Sequence, residues 1–225
     1  MNKFDIMTLL YDKNEYKKAE SFCIKENKYP ELLAYSLYRQ NKFSEAAEIY
    51  NKLERYAEEG YCYLYGGDKH KADKIWFSKN ETSSLLSWAK SLSGYINNKK
   101  SGIPTFFQIR NYYETDLDML INLGFDNYAE NLVNSIQYFA YINPELYKLT
   151  ARVLHNNQYY EFADKFLYTA KEYGEGDTEL YVLDARNNIA QNRFFAAIKS
   201  LEKALEISDD YMPAKNLLKK LKRCC

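Results

Sequence analysis

Breakers are scarce in this chain. Its 225 residues include only 8 glycines and 4 prolines, too few for Gly-rich turns or barrels, so helices are favoured. Histidine is scarcer still, with His70 and His155 far apart in the sequence. The four cysteines, Cys23, Cys62, Cys224 and Cys225, show no metal-ligand spacing. HExxH, CxxC and nucleophile-elbow patterns are all missing. The nearest approach to a phosphate loop, YGGDKHKAD, lacks the closing Gly-Lys-Ser/Thr and reads as a turn between helices. No metal and no cofactor is implied.

Two further absences narrow the class. No run reaches the roughly 18 apolar residues of a membrane span, and MNKFDIMTLLYDKNEYKK has no secretory apolar region. A cytoplasmic protein with Cys23 and Cys62 as reduced core thiols is the expectation. Cys224-Cys225 resembles a double-cysteine prenylation signal, but an incidental chain end is the simpler reading. Excess charge of one sign is also missing. Lys plus Arg equals Asp plus Glu at 31 each, which argues against a dedicated nucleic-acid binder.

What is abundant is aromatic: 23 Tyr and 12 Phe. Many fall on one stripe of amphipathic helices. Phe194, Ala197, Ile198, Leu201, Ala204 and Leu205 share such a face in ARNNIAQNRFFAAIKSLEKALEISDD. The same pattern stands 34 residues earlier around Ala163, and 34 earlier again around Ala129. Upstream helices repeat in step, with Tyr181 and Ala185, Tyr147 and Ala151, then Tyr113 and Leu117. Each unit is therefore a helix, a short turn (AQNR, HNNQ, LGFD) and a second helix. Asn or Gly in those turns supplies left-handed backbone. The alanines sit where helices cross, and a methyl there lets the backbones approach closely.

The N-terminal half repeats less regularly, with anchors Ala19, Ala46 and Ala72 spaced by 27 and 26 residues. SSLLSWAKSLSGYINN predicts another first helix, with Gly94 blurring its end. NNKKSGIP predicts a break, and IPTFFQIRNYYE a short, irregular second helix. The reading is an all-α solenoid of about six to seven antiparallel hairpins. Degenerate short hairpins fill 1–100, and regular repeats fill 101–225 within one continuous solenoid. DDYMPAKNLLKKLKRCC closes it as a capping helix, with Met212, Ala214, Leu217, Leu218 and Leu221 on its apolar side.

Tyr147, Ala151, Tyr160 and Ala163 in one unit, and Tyr181, Ala185, Phe194 and Ala197 in the next, carry a known pattern of large and small residues. A proline usually ends such a unit; Pro144 fits that role, and Pro213 comes slightly late after EISDDYM. This resembles the tetratricopeptide repeat family. The resemblance implies a right-handed superhelix whose first helices line a concave groove for a peptide or protein. Exposed positions in that register are Tyr35, Tyr38, Arg39, Tyr61, Tyr65, Lys148, Arg152, His155, Asn156 and Arg186, with Val182 and Ile189 beside them. Tyr and Arg are common anchors at interfaces. The family's two-carboxylate clamp needs Lys, Asn and Asn on one first helix, then Lys and Arg on the next. Here the matching positions hold Lys148, Leu149, Arg152 and Asn156, then Glu179, Leu183 and Arg186, so that ligand is not expected.

The leading function is a non-catalytic scaffold or adaptor. A secretion or assembly chaperone is an alternative on the same fold. An RNA-binding solenoid would need a continuous basic stripe. An enzyme would have to use Glu114, Asp116 and Asp118 in YYETDLDML, which read first as a solvated helix face. Self-association through an open stack end stays open.

Overall fold

The structure, a computed structural model, describes residues 2–80, 82–99 and 101–224, and for Arg223 and Cys224 the backbone alone. The paired cysteines at the end therefore lie outside the described side chains. Among the described residues every regular element is helical. The chain divides into two compact units: Met1–Gly94 with Lys99–Gly102, and Tyr95–Asn98 with Ile103–Cys225.

The first unit opens with α1 (Lys3–Met7), which widens into a π turn over Thr8–Asp12. Then come α2 (Tyr16–Glu26), α3 (Pro30–Tyr38), α4 (Phe43–Lys52), α5 (Tyr56–Tyr65) and α6 (Lys69–Ser78), each packed on the next. Helix α7 (Ser84–Ile96) starts in this unit, and its last two residues group with the second. It runs through Gly94 without ending there. A Cβ at Gly94 would press on Ser101, so glycine serves a close approach rather than a stop.

The second unit holds α8 (Phe106–Gln108), a π turn over Ile109–Tyr113, and α9 (Glu114–Asn122). These form one continuous helix with a π turn inside it, which corrects the short second helix expected over IPTFFQIRNYYE. Thr105 caps it in a reciprocal box with Gln108. The π turn shifts the later residues around the axis, and Ile109, Tyr113, Leu117 and Leu120 are all fully buried. Helix α10 (Asp126–Asn134), a 3-10 turn over Ser135–Tyr138, α11 (Leu146–Asn156), α12 (Tyr160–Tyr173), α13 (Thr178–Ala190), α14 (Phe194–Ile207) and α15 (Met212–Cys224) complete it. Neighbours along the chain pack together, as in a stack of hairpins.

The small residues read as spacers are all buried. Ala19, Ala46, Ala72, Ala151, Ala163, Ala185 and Ala197 have no exposed surface, and Ala129 is close to that. Ala151 and Ala163 share one core cluster with Leu154, Leu167 and Leu183. Ala185 and Ala197 share the next with Leu201, Ala214 and Leu221. Helix α15 covers the last hairpin through Ala214 and Leu221, whereas Met212 points away and is exposed.

One turn closes hairpin after hairpin. Asn41, Glu54, Gly67, Gly124, Gln158 and Asn192 have positive φ, each two residues before the next helix. The residue after each donates its N–H five residues back, as Arg193 does to the Asn188 carbonyl (2.8 Å) and Tyr159 to Leu154 (2.8 Å). This is the Schellman closure. In HNNQ the left-handed residue is Gln158, not either asparagine. Asn157 instead donates from Nδ2 to Asp118 (2.8 Å).

Candidate functional site

The residues predicted to line a groove fall into two sets, one per unit. In the first unit α5 packs against both α4 and α6, so it buries two sides. Tyr61 and Tyr65, expected on an open face, are therefore core residues, 5 % and 3 % exposed. Tyr61 meets Trp76 edge-on at 5.3 Å, and Tyr65 meets Tyr61 at 5.6 Å and Phe43 at 6.3 Å. Trp76 is fully buried and donates Nε1 to the Ala57 carbonyl (3.1 Å). Tyr38 is half-buried against Phe43 (5.7 Å). Arg39 is exposed, stacks its guanidinium over Tyr16 (4.9 Å) and donates to the Tyr35 hydroxyl (3.1 Å). Tyr35 in turn leans on Tyr11 (5.1 Å). Only Tyr35, Tyr38 and Arg39 of this set present surface.

In the second unit the first helices α9, α11 and α13 carry a chain of charges. Lys148 is buried, against expectation, because its ammonium sits among Asp177 (2.7 Å), Glu179 (3.2 Å) and Glu145 (3.3 Å). Burial by itself lowers the Lys148 pKa, but the hydrogen bonds and charges of Asp177 and Glu179 outweigh it and hold it above the ordinary value. Burial likewise raises Asp177, but the Lys148 bond and the Leu180 N–H reverse the sign and leave it depressed. Arg152 bridges Glu179 (3.2 Å) and Glu114 (3.6 Å). Burial raises Glu114, and the nearby Arg152 charge offsets only part of that.

The acidic run on α9 is not a solvated face. Asp116 is buried, Asp118 accepts from Asn157, and Glu114 is half-buried. Glu114 meets Arg152 and Asp118 meets Asn157. Among the described residues no group of three or more His, Cys, Asp or Glu is placed to hold a metal ion.

His155 ties two hairpins together. Its ring packs on Tyr160 (5.5 Å), and Nδ1 lies 3.0 Å from Asn187 Oδ1. The Asn187 amide already donates to the Tyr160 carbonyl (2.9 Å) and to Asp164 (2.7 Å). Its oxygen must therefore accept, so His155 donates from Nδ1. Val182 is buried in the α13–α15 cluster, and Ile189 packs partly against it. Asn156 and Arg186 keep exposed side chains with no ion pair or side-chain hydrogen bond among the described residues. His70 is exposed at the start of α6.

Sequence reasoning missed the polar centre at Asp164. It accepts from Asn187, Gln191 (3.3 Å) and Arg193 (2.7 Å). Burial raises its pKa, but the Arg193 bond and charge bring it below the carboxylate norm. Asn187 lies on the packed side of α13 and is fully buried. A polar side chain on an apolar stripe was the available signal. No helix among the described residues is long and apolar enough to cross a membrane. No protein-family model, curated protein or solved structure matches the chain.

Proposed function

We propose that the chain is a tetratricopeptide-like, right-handed stack of about six to seven hairpins with α15 as its cap, working as a non-catalytic scaffold or adaptor. The two well-matched units at Ala163 and Ala197 and their shared turn chemistry support the family reading. One observation carries the function: on the α11–α13 face, Asn156 and Arg186 stay open beside a network whose two cations, Lys148 and Arg152, are already engaged by carboxylates. Glu145, Asp177 and Glu179 occupy Lys148, and Glu114 and Glu179 occupy Arg152. A ligand relying on a carboxylate clamp would have to displace them. An extended peptide read by neutral hydrogen bonds fits better, with Arg186 as the single free cation on that face among the described residues.

The test is a photo-crosslinking residue placed at Asn156 or Arg186, with a control at Lys203 on α14. Discrete crosslinked proteins from the first two positions and not from the control are expected. Equal products from all three positions would sink the reading.

A further inference from the structure

The second helices carry a cleft that this reading leaves unused. It opens between α12 and α14, floored by α13, with a volume of about 740 Å³. It is a shallow, open depression rather than an enclosed pocket. Two carboxylates line it, and both are engaged. Asp184 is buried and holds Lys171 (2.7 Å) and the Ser200 hydroxyl. Asp164 holds Arg193 (2.7 Å).

The remaining charge in the wall is positive. Lys165 and Lys199 are exposed, one from each helix, and neither has an ion pair among the described residues. Their ammonium groups lie over phenyl rings instead, Lys165 over Phe162 (5.4 Å) and Lys199 over Phe195 (4.7 Å). Those rings are themselves in water, Phe162 56 % and Phe195 72 % exposed, and Tyr168 in the cleft is 70 % exposed. Exposed aromatics flanked by unpaired cations are the elements of an interface anchor.

We propose that the α12–α14 cleft docks an acidic peptide segment of a partner protein, its carboxylates on Lys165 and Lys199 and its apolar side chains on Phe162, Phe195 and Tyr168. Charge complementarity selects this occupant. With Asp164 and Asp184 satisfied from within, each incoming carboxylate meets an unneutralised ammonium. A nucleic acid suits the cleft less well, because two fixed carboxylates interrupt the basic surface that a phosphate chain would follow. The site is separate from the α11–α13 face and does not depend on it.

The test uses the full chain and a fluorescein-labelled peptide of Glu-Glu-Leu repeats. A Lys-Lys-Leu peptide is the charge control, and an unlabelled single-stranded oligonucleotide is the polyanion control. Fluorescence anisotropy should show saturable binding of the acidic peptide, weakened by added salt. Lys165→Glu with Lys199→Glu alters only exposed side chains, so the fold should hold by circular dichroism. Affinity should fall about tenfold or more. Phe162→Ser with Phe195→Ser should weaken binding as well, and Lys52→Glu, at an exposed position on α4, should leave it unchanged. Binding that survives the Lys165/Lys199 reversal, equal binding of the basic peptide, displacement by the oligonucleotide, or no saturation by about 1 mM peptide overturns the proposal. A loss of the same size on Lys52→Glu would also overturn it.

Discussion

At the scale of single residues, the tightest constraint is Gly60 beneath Trp76. A Cβ there would fall inside contact distance of the indole ring. Gly60→Ala must therefore displace a fully buried side chain and its bond to the Ala57 carbonyl. A loss of about 3 kcal/mol is expected, read as a lower denaturant midpoint and a shift in tryptophan fluorescence. Lys148 is the second constraint. Lys148→Met leaves Asp177, Glu179 and Glu145 facing one another, and should cost about 2 kcal/mol, below a fully buried pair because the acids are partly exposed. Glu114→Gln should change stability by less than about 0.5 kcal/mol, or raise it, since burial raises the Glu114 pKa despite Arg152. The pH dependence follows from the signs. Asp177 and Asp164 are depressed on folding. Their contribution is complete above the unfolded aspartate value of about 3.9 and is lost as pH falls through the folded values. Lys148 is raised, so its share is lost only as pH climbs past about 10.4. Urea midpoints measured from pH 7 down to 2 should show an acid loss that Lys148→Met makes shallower. An unchanged slope would remove Lys148 as its source.

At the scale of elements, the hairpin turn decides where helices stop. Six turns with the Schellman closure place one left-handed residue two positions before the next helix, and asparagine and glycine fill four of them. Glu54 and Gln158 fill the other two, where a side chain strains the left-handed backbone. Glu54→Gly relieves that strain at the cost of greater freedom when unfolded. A net gain of about 0.5 kcal/mol is expected, seen as a higher melting temperature. Glu54→Val should do the reverse, because a β-branched side chain is disfavoured at positive φ. The two π turns, over Thr8–Asp12 and Ile109–Tyr113, each continue a helix that a periodicity count would break. An extra residue in the turn shifts the apolar stripe, and that is why IPTFFQIRNYYE looked irregular on paper.

At the scale of the whole molecule, stability should be local. In a stack each helix leans on its neighbours along the chain, so a defect should loosen its own cluster first. Ala197→Leu overfills the crossing of α13 and α14, where Ala185, Ala197 and Leu201 are fully buried. It should cost about 2 kcal/mol. Hydrogen exchange should accelerate in α13, α14 and α15, with little change in α2–α4. Uniform acceleration along the chain would show that the stack behaves as one cooperative block.

The apolar stripes, the spacer alanines and the 34-residue step were legible in the sequence because packing of hairpins is periodic. One small residue at each crossing and one turn per pair suffice to specify it. The all-helical stack followed from local rules alone. Which side chains remain on the surface did not. Tyr61 and Tyr65 share a stripe with open-face positions, yet α5 lies between two helices and buries them. Lys148 looks like a free cation until three carboxylates from two segments meet on it. Burial and charge pairing depend on groups tens of residues apart in sequence, and only the fold brings those together. It is the tertiary structure that leaves Arg186 open on one face and Lys165 and Lys199 unneutralised on the other helices.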